Sequence, residues 1–180
     1  SPTGGKSALP LVGSVASKKW ALIGPWYFDQ TAIKNSFLYA LSNRLGHWAP
    51  GSQPVEVFFH TGGDLGAVDY VGLYLLTERI EIDAQKIPIK DLATGPTADV
   101  TGGYIIKLDS PDSDEFSFST SRDVPGGNSA IVVASTKAAD LPAAHRTYLT
   151  TYFQQMEDTL VADFQGAFAT RKYLDYIDRA

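Results

Sequence analysis

Short strand-forming segments separated by turn residues constrain the fold of this chain more than any other feature. Each is four to nine residues long and rich in aliphatic, aromatic or alternating side chains. Short strands joined by Gly, Pro, Asp and Ser are typical of an antiparallel sheet. The predicted strands are residues 20–24, 54–60, 70–78, 104–109, 116–119 and 130–134.

Two helical patterns flank most of these strands. Asp29 is a favourable N-cap, and apolar residues recur at helical spacing as far as Gly46, which suits a C-cap, so we predict a helix over residues 30–45. A second helix is predicted from Asp140, with a stripe of Tyr148, Tyr152, Met156 and Leu160, and a shorter one over 171–176. The predicted fold class is therefore α+β, an antiparallel sheet with packed helices.

Composition and charge exclude several classes of protein. The chain has 180 residues, 44% of them apolar, and a mean hydropathy of −0.09, which excludes a disordered tail. A net charge of −5, with no basic cluster denser than Lys18-Lys19, argues against a nucleic-acid partner. There is no cysteine, so disulfides, thiolate nucleophiles and cysteine-bound zinc are excluded. No apolar run of 18 residues exists, so no membrane span is expected.

The two ends of the sequence differ from its middle. Residues 1–17 are rich in Ser, Gly, Pro and Ala, and we predict a linker or a loosely ordered entry there. At the other end Asp178 is a potential N-cap followed by two residues only. We interpret this as a chain that stops before its next element.

Most familiar catalytic patterns are missing from the sequence. The three histidines are scattered, and there is no nucleophile elbow, P-loop or dinucleotide fingerprint. Paired glycines such as Gly126-Gly127 suit turns better than phosphate cradles. The acidic residues between Asp109 and Glu115 could bind calcium, but the spacing of an EF-hand is missing, and a solvated loop is the preferred interpretation.

One strand carries a charge at the end of an apolar row. Tyr74, Leu76 and Glu78 share one face of the predicted strand 70–78, and Lys107 lies within another apolar strand. If these two strands pair, Glu78 and Lys107 would meet across the sheet and could position a phosphate-binding cation. An ordinary cross-strand salt bridge explains the same pattern, and composition alone favours it.

Five motifs in order resemble the CotH kinase-like family, named for spore coat protein H. The strand at 70–80, YVGLYLLTERI, is the most specific and looks like the family's Tyr-x-Gly-x-Tyr-x-Leu-x-Glu strand. The match extends over about residues 18–178. The other four motifs are KWALIGPWYFDQTAIKN at 19–35, LGHWAPGSQPVEVFF at 45–59, TGGYIIKLD at 101–109 and YLDYID at 173–178.

The resemblance implies the N-terminal portion, residues 18–180, of a bacterial atypical protein kinase, secreted or at the cell surface. This portion would cover the nucleotide, while the acids for catalysis and metal binding would follow Ala180. The cofactor would be ATP with Mg or Mn in the full-length protein, and the substrate a Ser-rich surface or coat protein. Without those acids the segment would be inert alone, and we expect no catalytic or metal-binding residue within it.

The resemblance also implies roles for individual residues. Tyr74 would stack on the adenine, and Glu78 would orient a phosphate-binding cation, with Lys107 as one potential partner. Lys34 and Asn35 occupy the family's Arg-Asn positions, although lysine lacks the bidentate fork of arginine.

The chain departs from the family in residues 1–17, where a basic strand is usual. The alternative function is a non-catalytic surface or adhesion module that binds a protein or a glycan, for which the aromatic content is suitable.

Overall fold

The computed structural model describes residues 5, 7–13, 16–90, 92, 99–121 and 130–177. The chain divides into two compact units, Ser1–Ile87 and Pro88–Ala180. Each unit contains one three-stranded antiparallel sheet and one α-helix. The α+β class is confirmed, with two small sheets in place of a single one.

The sheet of the first unit has the order β1-β3-β2, where β1 is Trp20–Ile23, β2 is Ser52–Phe58 and β3 is Tyr70–Glu78. The bounds of β3 are those predicted from its alternation. In the central strand, Leu75 and Thr77 are buried on one face and Glu78 is buried on the other. The register places Trp20 opposite Glu78.

The helix of the first unit, α1, spans Lys34–Arg44 and starts four residues later than predicted. The N-cap residue is Ile33, so the predicted N-cap at Asp29 is wrong, although the Asp29 carboxylate accepts from the Lys34 backbone N–H at 2.8 Å. The same carboxylate accepts from the Thr31 N–H at 3.1 Å and from the Thr31 hydroxyl. Residues 29–33 therefore form a turn around the carboxylate, with Ala32 in the left-handed region (φ 56°), and do not extend the helix.

Replacing Asp29 with alanine should reduce the protection of the α1 amides from hydrogen exchange. The Thr31 hydroxyl, followed by the Lys34 backbone N–H, lowers the pKa of Asp29 below its ordinary value of 3.8. The pKa of Asp29 is lower in the folded than in the unfolded chain, so the ionised carboxylate stabilises the fold. This stabilisation is complete above pH 3.8 and is lost as the pH falls through the pKa of the folded state. Wild type and Asp29→Ala should thus differ at pH 7 and converge at low pH. Gln30→Ala is the control, and a difference that persists undiminished in acid would contradict the assignment.

The sheet of the second unit has the order β4-β6-β5, where β4 is Ile106–Asp109, β5 is Glu115–Phe118 and β6 is Ala130–Lys137. Strand β6 is three residues longer than predicted. Its polar end, Ser135 to Lys137, continues the ladder, and there Lys137 is opposite Glu115. Apolar content alone therefore underestimated the length of this central strand.

A long helix, α2, spans Ala143–Gln165 and provides one wall of the second core. Val133, Leu141 and Leu149 are the buried centre, and aromatic rings from both sheet and helix surround them. The side chains that surround this buried centre are Leu92, Tyr104, Ile106, Phe116, Phe118, Tyr148 and Phe153.

The predicted helix at 171–176 is a 3-10 helix, Lys172–Tyr176.

Within the described part of the chain, neither α1 nor α2 is long and apolar enough to cross a bilayer. The predicted glycine turn at Gly126-Gly127 and the potential cap at Asp178 lie outside the described residues.

Candidate functional site

The carboxylate of Glu78 is fixed at the end of β3 by the turn that leads into β2. Its Oε2 accepts from the Gly51 N–H at 2.9 Å, and the Glu78 N–H donates to the Gly51 carbonyl at 3.1 Å. The Thr77 hydroxyl donates to that same carbonyl at 3.2 Å. The backbone of Gly51 thus bonds both the backbone and the side chain of Glu78. These bonds fix the position of the buried carboxylate.

A tight turn after β3 returns the chain so that Lys86 lies beside Glu78. The Asp83 side chain accepts from the Gln85 N–H at 2.8 Å, and the Asp83 N–H donates to the Ile87 carbonyl at 3.2 Å. Asp at the first position of a turn commonly makes such a bond. The turn thus places Lys86 inside the first unit, where its side chain is only 3% exposed.

The ammonium of Lys86 is surrounded by oxygen atoms from three other residues. It donates to the Ser17 hydroxyl at 3.1 Å and to Glu81 Oε1 at 3.2 Å, and lies 4.0 Å from Glu78 Oε1. A buried cation requires such partners, because its desolvation costs several kcal/mol. We refer to Ser17, Glu78, Glu81 and Lys86 as the buried lysine cluster.

Glu81 joins this cluster to the surface. Its Oε2 accepts from the exposed Lys19 ammonium at 2.7 Å, while its Oε1 accepts from Lys86. Burial on its own would raise the pKa of Glu81, but the bonds from Lys19 and Lys86 outweigh that effect and lower the pKa. Glu81 is therefore ionised and links one buried and one solvated cation.

One acceptor in the cluster has no hydrogen-bond donor among the described residues. Glu78 Oε1 is buried, and Lys86 Nζ at 4.0 Å is near enough for ion pairing but too far for a hydrogen bond. An open cavity of about 310 Å³ borders the same cluster at Ser17, Glu81 and Lys86. Its remaining lining residues are Ala8, Ala16, Lys18, Lys19, Ile82 and Asp83.

Tyr74 projects from the same face of β3 as Glu78, two side chains away along that face. Its ring is close to Gly24, since a Cβ built at Gly24 would lie 3.2 Å from a ring carbon. Gly24 thus leaves room for the ring just beyond the end of β1. The structure keeps Tyr74 and Glu78 on one surface of the sheet, about 13 Å apart at a rise of about 3.3 Å per residue.

Lys107 does not pair with Glu78 across a sheet, and that prediction is wrong. Strand β3 belongs to the first sheet and β4, which carries Lys107, to the second. The Lys107 ammonium instead bonds Glu115 at 2.9 Å and lies 3.8 Å from Asp109. The Glu115 bond raises the pKa of Lys107. Acidic residues close in sequence to Lys107 supply its counter-charge, so no partner on β3 is needed.

Lys34 and Asn35 lie in the first turn of α1. The Lys34 ammonium donates to the Phe28 carbonyl at 3.1 Å, and its backbone N–H is held by Asp29. These contacts tie the helix start to the preceding loop. Within the first unit, the structure therefore places Tyr74 and Glu78 on one face of β3 and Lys86 beside Glu78.

Sequence reasoning missed Lys86, Ser17 and Glu81. The only local signal was Asp83, a turn-former three residues before Lys86, which could have indicated that the chain reverses after β3. Ser17 had been assigned to a linker because its neighbours are small and polar. Its bond to a lysine 69 positions away is a tertiary contact that no local pattern predicts.

A nucleotide implied by the resemblance suits this cluster better than a metal ion does. Three lysines, Lys18, Lys19 and Lys86, line the cavity, together with the carboxylates of Glu81 and Asp83. The described residues hold no group of three or more His, Cys, Asp or Glu side chains arranged to bind a metal ion. The lysines could therefore contact phosphate.

Comparison of the sequence with known protein families matches it to one of them. The model of the CotH kinase protein family matches residues 5–179, which is nearly the whole chain. The chain belongs to the CotH kinase family. No curated protein and no solved structure gives a significant match to it. The family is thus shown by the family model, and the geometry of the site comes from this structure alone.

Proposed function

We propose that this chain is the nucleotide-binding portion of a CotH-type atypical protein kinase. The complete protein would transfer phosphate from ATP to a Ser-rich surface or coat protein, at a secreted or cell-surface location. The single observation that carries the proposal is the buried Lys86, held 4.0 Å from Glu78 beside a cavity lined by further lysines. Family membership supports kinase-like chemistry in general.

A lysine held by a glutamate is the device by which protein kinases orient the phosphates of ATP. Here the glutamate is on a strand and is anchored by Gly51, while the lysine is on the turn that follows. Lys86 is itself buried, so its role would be to fix the position of Glu78 and Glu81. The more exposed Lys18 and Lys19 at the cavity would then contact the phosphates.

Tyr74 supplies the second part of the proposed site. It is half-buried, with its ring against Gly24, and occupies the face that also presents Glu78. A base stacked on an aromatic ring gains about 1–3 kcal/mol. A nucleotide lying along this face would place its base at Tyr74 and its phosphates towards the Glu78 end of β3, where Lys86 and the lysines of the cavity lie, which follows the order of groups in ATP.

Phosphate transfer also needs a divalent cation and acidic residues that position the acceptor hydroxyl. When bound, Mg or Mn would neutralise charge that develops on the transferred phosphate. The described residues provide no cluster for such an ion. We therefore propose that the metal-binding and catalytic acids belong to a following portion of the protein, and that residues 18–180 bind nucleotide without turnover.

Isothermal titration of ATP with Mg or Mn into the chain tests this proposal. We expect a heat of binding, and a Kd raised about tenfold or more in Tyr74→Ala, since the stacking energy would be lost. Glu78→Gln should also weaken binding, because it removes the charge that holds Lys86.

Tyr70→Ala is the matched control for Tyr74→Ala. It removes a tyrosine from the same strand, but one that packs on Phe58 at the far end, 5.2 Å between ring centroids. Its Kd for ATP should equal that of the wild type. An absence of heat with both metals, or equal losses in the two tyrosine variants, would overturn the proposed nucleotide site.

A surface module that binds a glycan or a protein is the second candidate function. The observation in its favour is Trp26, which is 71% exposed, whereas Trp20 and Trp48 are half-buried. An exposed indole can serve as a platform for a sugar. A glycan array tests this function. Binding to the array by the wild type but not by Trp26→Ala, in a protein that shows no heat of ATP binding, would favour the surface module over the kinase.

A further inference from the structure

The helix α1 presents its apolar side to solvent and its polar side to the protein. Phe37, Leu38, Leu41 and Leu45 lie within an arc of about 100° on a helical wheel and are 41–67% exposed. On the opposite side, Asn35, Ser36, Tyr39 and Ser42 are less exposed than the apolar residues, while Asn43 is exposed. A surface helix of a globular protein has the reverse arrangement. We call the four apolar residues the α1 face.

Three aromatic residues before the helix extend this surface. Trp26, Tyr27 and Phe28 are 71–87% exposed, and Lys34 bonds the Phe28 carbonyl, so their loop adjoins the start of α1. These three rings expose roughly 500 Å². With the α1 face added, the apolar area exceeds the roughly 300–600 Å² of the largest patch on a typical monomer. It approaches the roughly 800 Å² per partner of a stable interface.

The charges on α1 identify the kind of partner that fits. Its only charged residues are Lys34 at the first position and Arg44 at the last, so both ends of the α1 face are basic. If the α1 helices of two copies of the chain packed against each other, like charges would meet. In a parallel pair Lys34 would lie beside Lys34, and in an antiparallel pair Lys34 would lie beside Arg44. An acidic partner has no such repulsion, and amphipathic helices bind apolar faces through i, i+3, i+4 and i+7 anchors.

We propose that the α1 face is the docking surface for an amphipathic helix of another protein, with an apolar stripe flanked by acidic residues. The partner's apolar side chains would cover Phe37, Leu38, Leu41 and Leu45, and its carboxylates would lie beside Lys34 and Arg44. This surface is separate from the buried lysine cluster, so the proposal does not depend on nucleotide binding.

A pair of designed peptides of about 20 residues tests the proposal, since shorter helices are marginal in water. Both carry Leu at i, i+3, i+4 and i+7, and Glu flanks the stripe in one and Lys in the other. By fluorescence anisotropy, the Glu peptide should bind the wild-type chain at least tenfold more tightly than the Lys peptide. The double variant Phe37→Gln/Leu41→Gln should lose this binding, and Arg44→Glu should reduce the preference for the Glu peptide.

Leu160→Gln is the matched control, because Leu160 is a leucine of the other helix with comparable exposure, and its binding should be that of the wild type. The double variant should keep the melting temperature of the wild type, since its side chains are exposed. Equal affinities for the two peptides would overturn the proposal. So would a dimer in sedimentation equilibrium that Leu41→Gln dissociates, or a fall in melting temperature of the double variant, which would show that the face is covered within the chain.

Discussion

Replacing Lys86 with methionine should lower the free energy of unfolding of the first unit by about 3–5 kcal/mol. Methionine fills a similar volume, but it leaves the buried Glu78 carboxylate without its cation and removes one hydrogen bond each from Glu81 and Ser17, which keep their bonds to Lys19. Breaking a buried pair on one side is costly because the remaining charge stays desolvated. Urea denaturation followed by tryptophan fluorescence measures this unit selectively, since all three tryptophans, Trp20, Trp26 and Trp48, lie within it.

Lys18→Met is the control for the removal of a lysine as such. Lys18 lies in the same unit and is exposed. Substitution of an exposed residue of this kind changes stability little. A Lys86→Met variant with the same urea midpoint as Lys18→Met would show that the lysine cluster is hydrated and not buried.

Replacing Leu149 with alanine should destabilise the second unit by about 2–5 kcal/mol. Leu149 is 3% exposed and packs with Val133 and Leu141 at the centre of the core between β6 and α2. Alanine would leave a cavity that the surrounding rings, fixed by their mutual contacts, can close only in part. Hydrogen exchange followed by mass spectrometry should show faster exchange in peptides from β6 and α2.

Leu160→Ala is the comparison on the same helix. Leu160 is 42% exposed, so its truncation removes fewer contacts and leaves no enclosed cavity. Its exchange pattern should remain close to that of the wild type. If both leucine variants accelerated exchange equally, helix propensity rather than core packing would be the cause.

The sequence predicted the elements whose patterns are strong and local. Strand β3 alternates over nine residues, and its predicted bounds are those of the structure. Asp29 was recognised as a carboxylate that binds backbone N–H groups near the start of α1, but the N-cap position is Ile33. The error of four residues at the start of α1 arose because Asp29 bonds residues two and five positions later, so that the turn occupies the space of the expected first helical turn.

Strand pairing and charge pairing could not be predicted in the same way. Glu78 and Lys107 each looked like a charge in need of a partner, but each finds one nearer in sequence, at Lys86 and at Glu115. A partner eight residues away requires a specific turn, and one across a sheet requires the correct strand order. The alternation of side chains along a strand determines neither the turn nor the strand order. The α1 apolar stripe shows a related limit, since periodicity identifies the apolar side of a helix but not whether the protein covers it.

The bond from Lys86 to Ser17 limits how far the N-terminal end of the first unit can be shortened when that unit is expressed by itself. Ser17 forms a bridge with Leu9, with N–H to carbonyl distances of 3.0 and 3.1 Å, so the strand-like pairing of residues 9 and 17 supports the hydroxyl that Lys86 requires. A version trimmed to the first strand, at Trp20, would retain the complete sheet but would lack one of the oxygen ligands of its buried ammonium. Leu9 and Ser17 thus take part in the packing of the first unit through a buried ammonium 69 positions away from the serine.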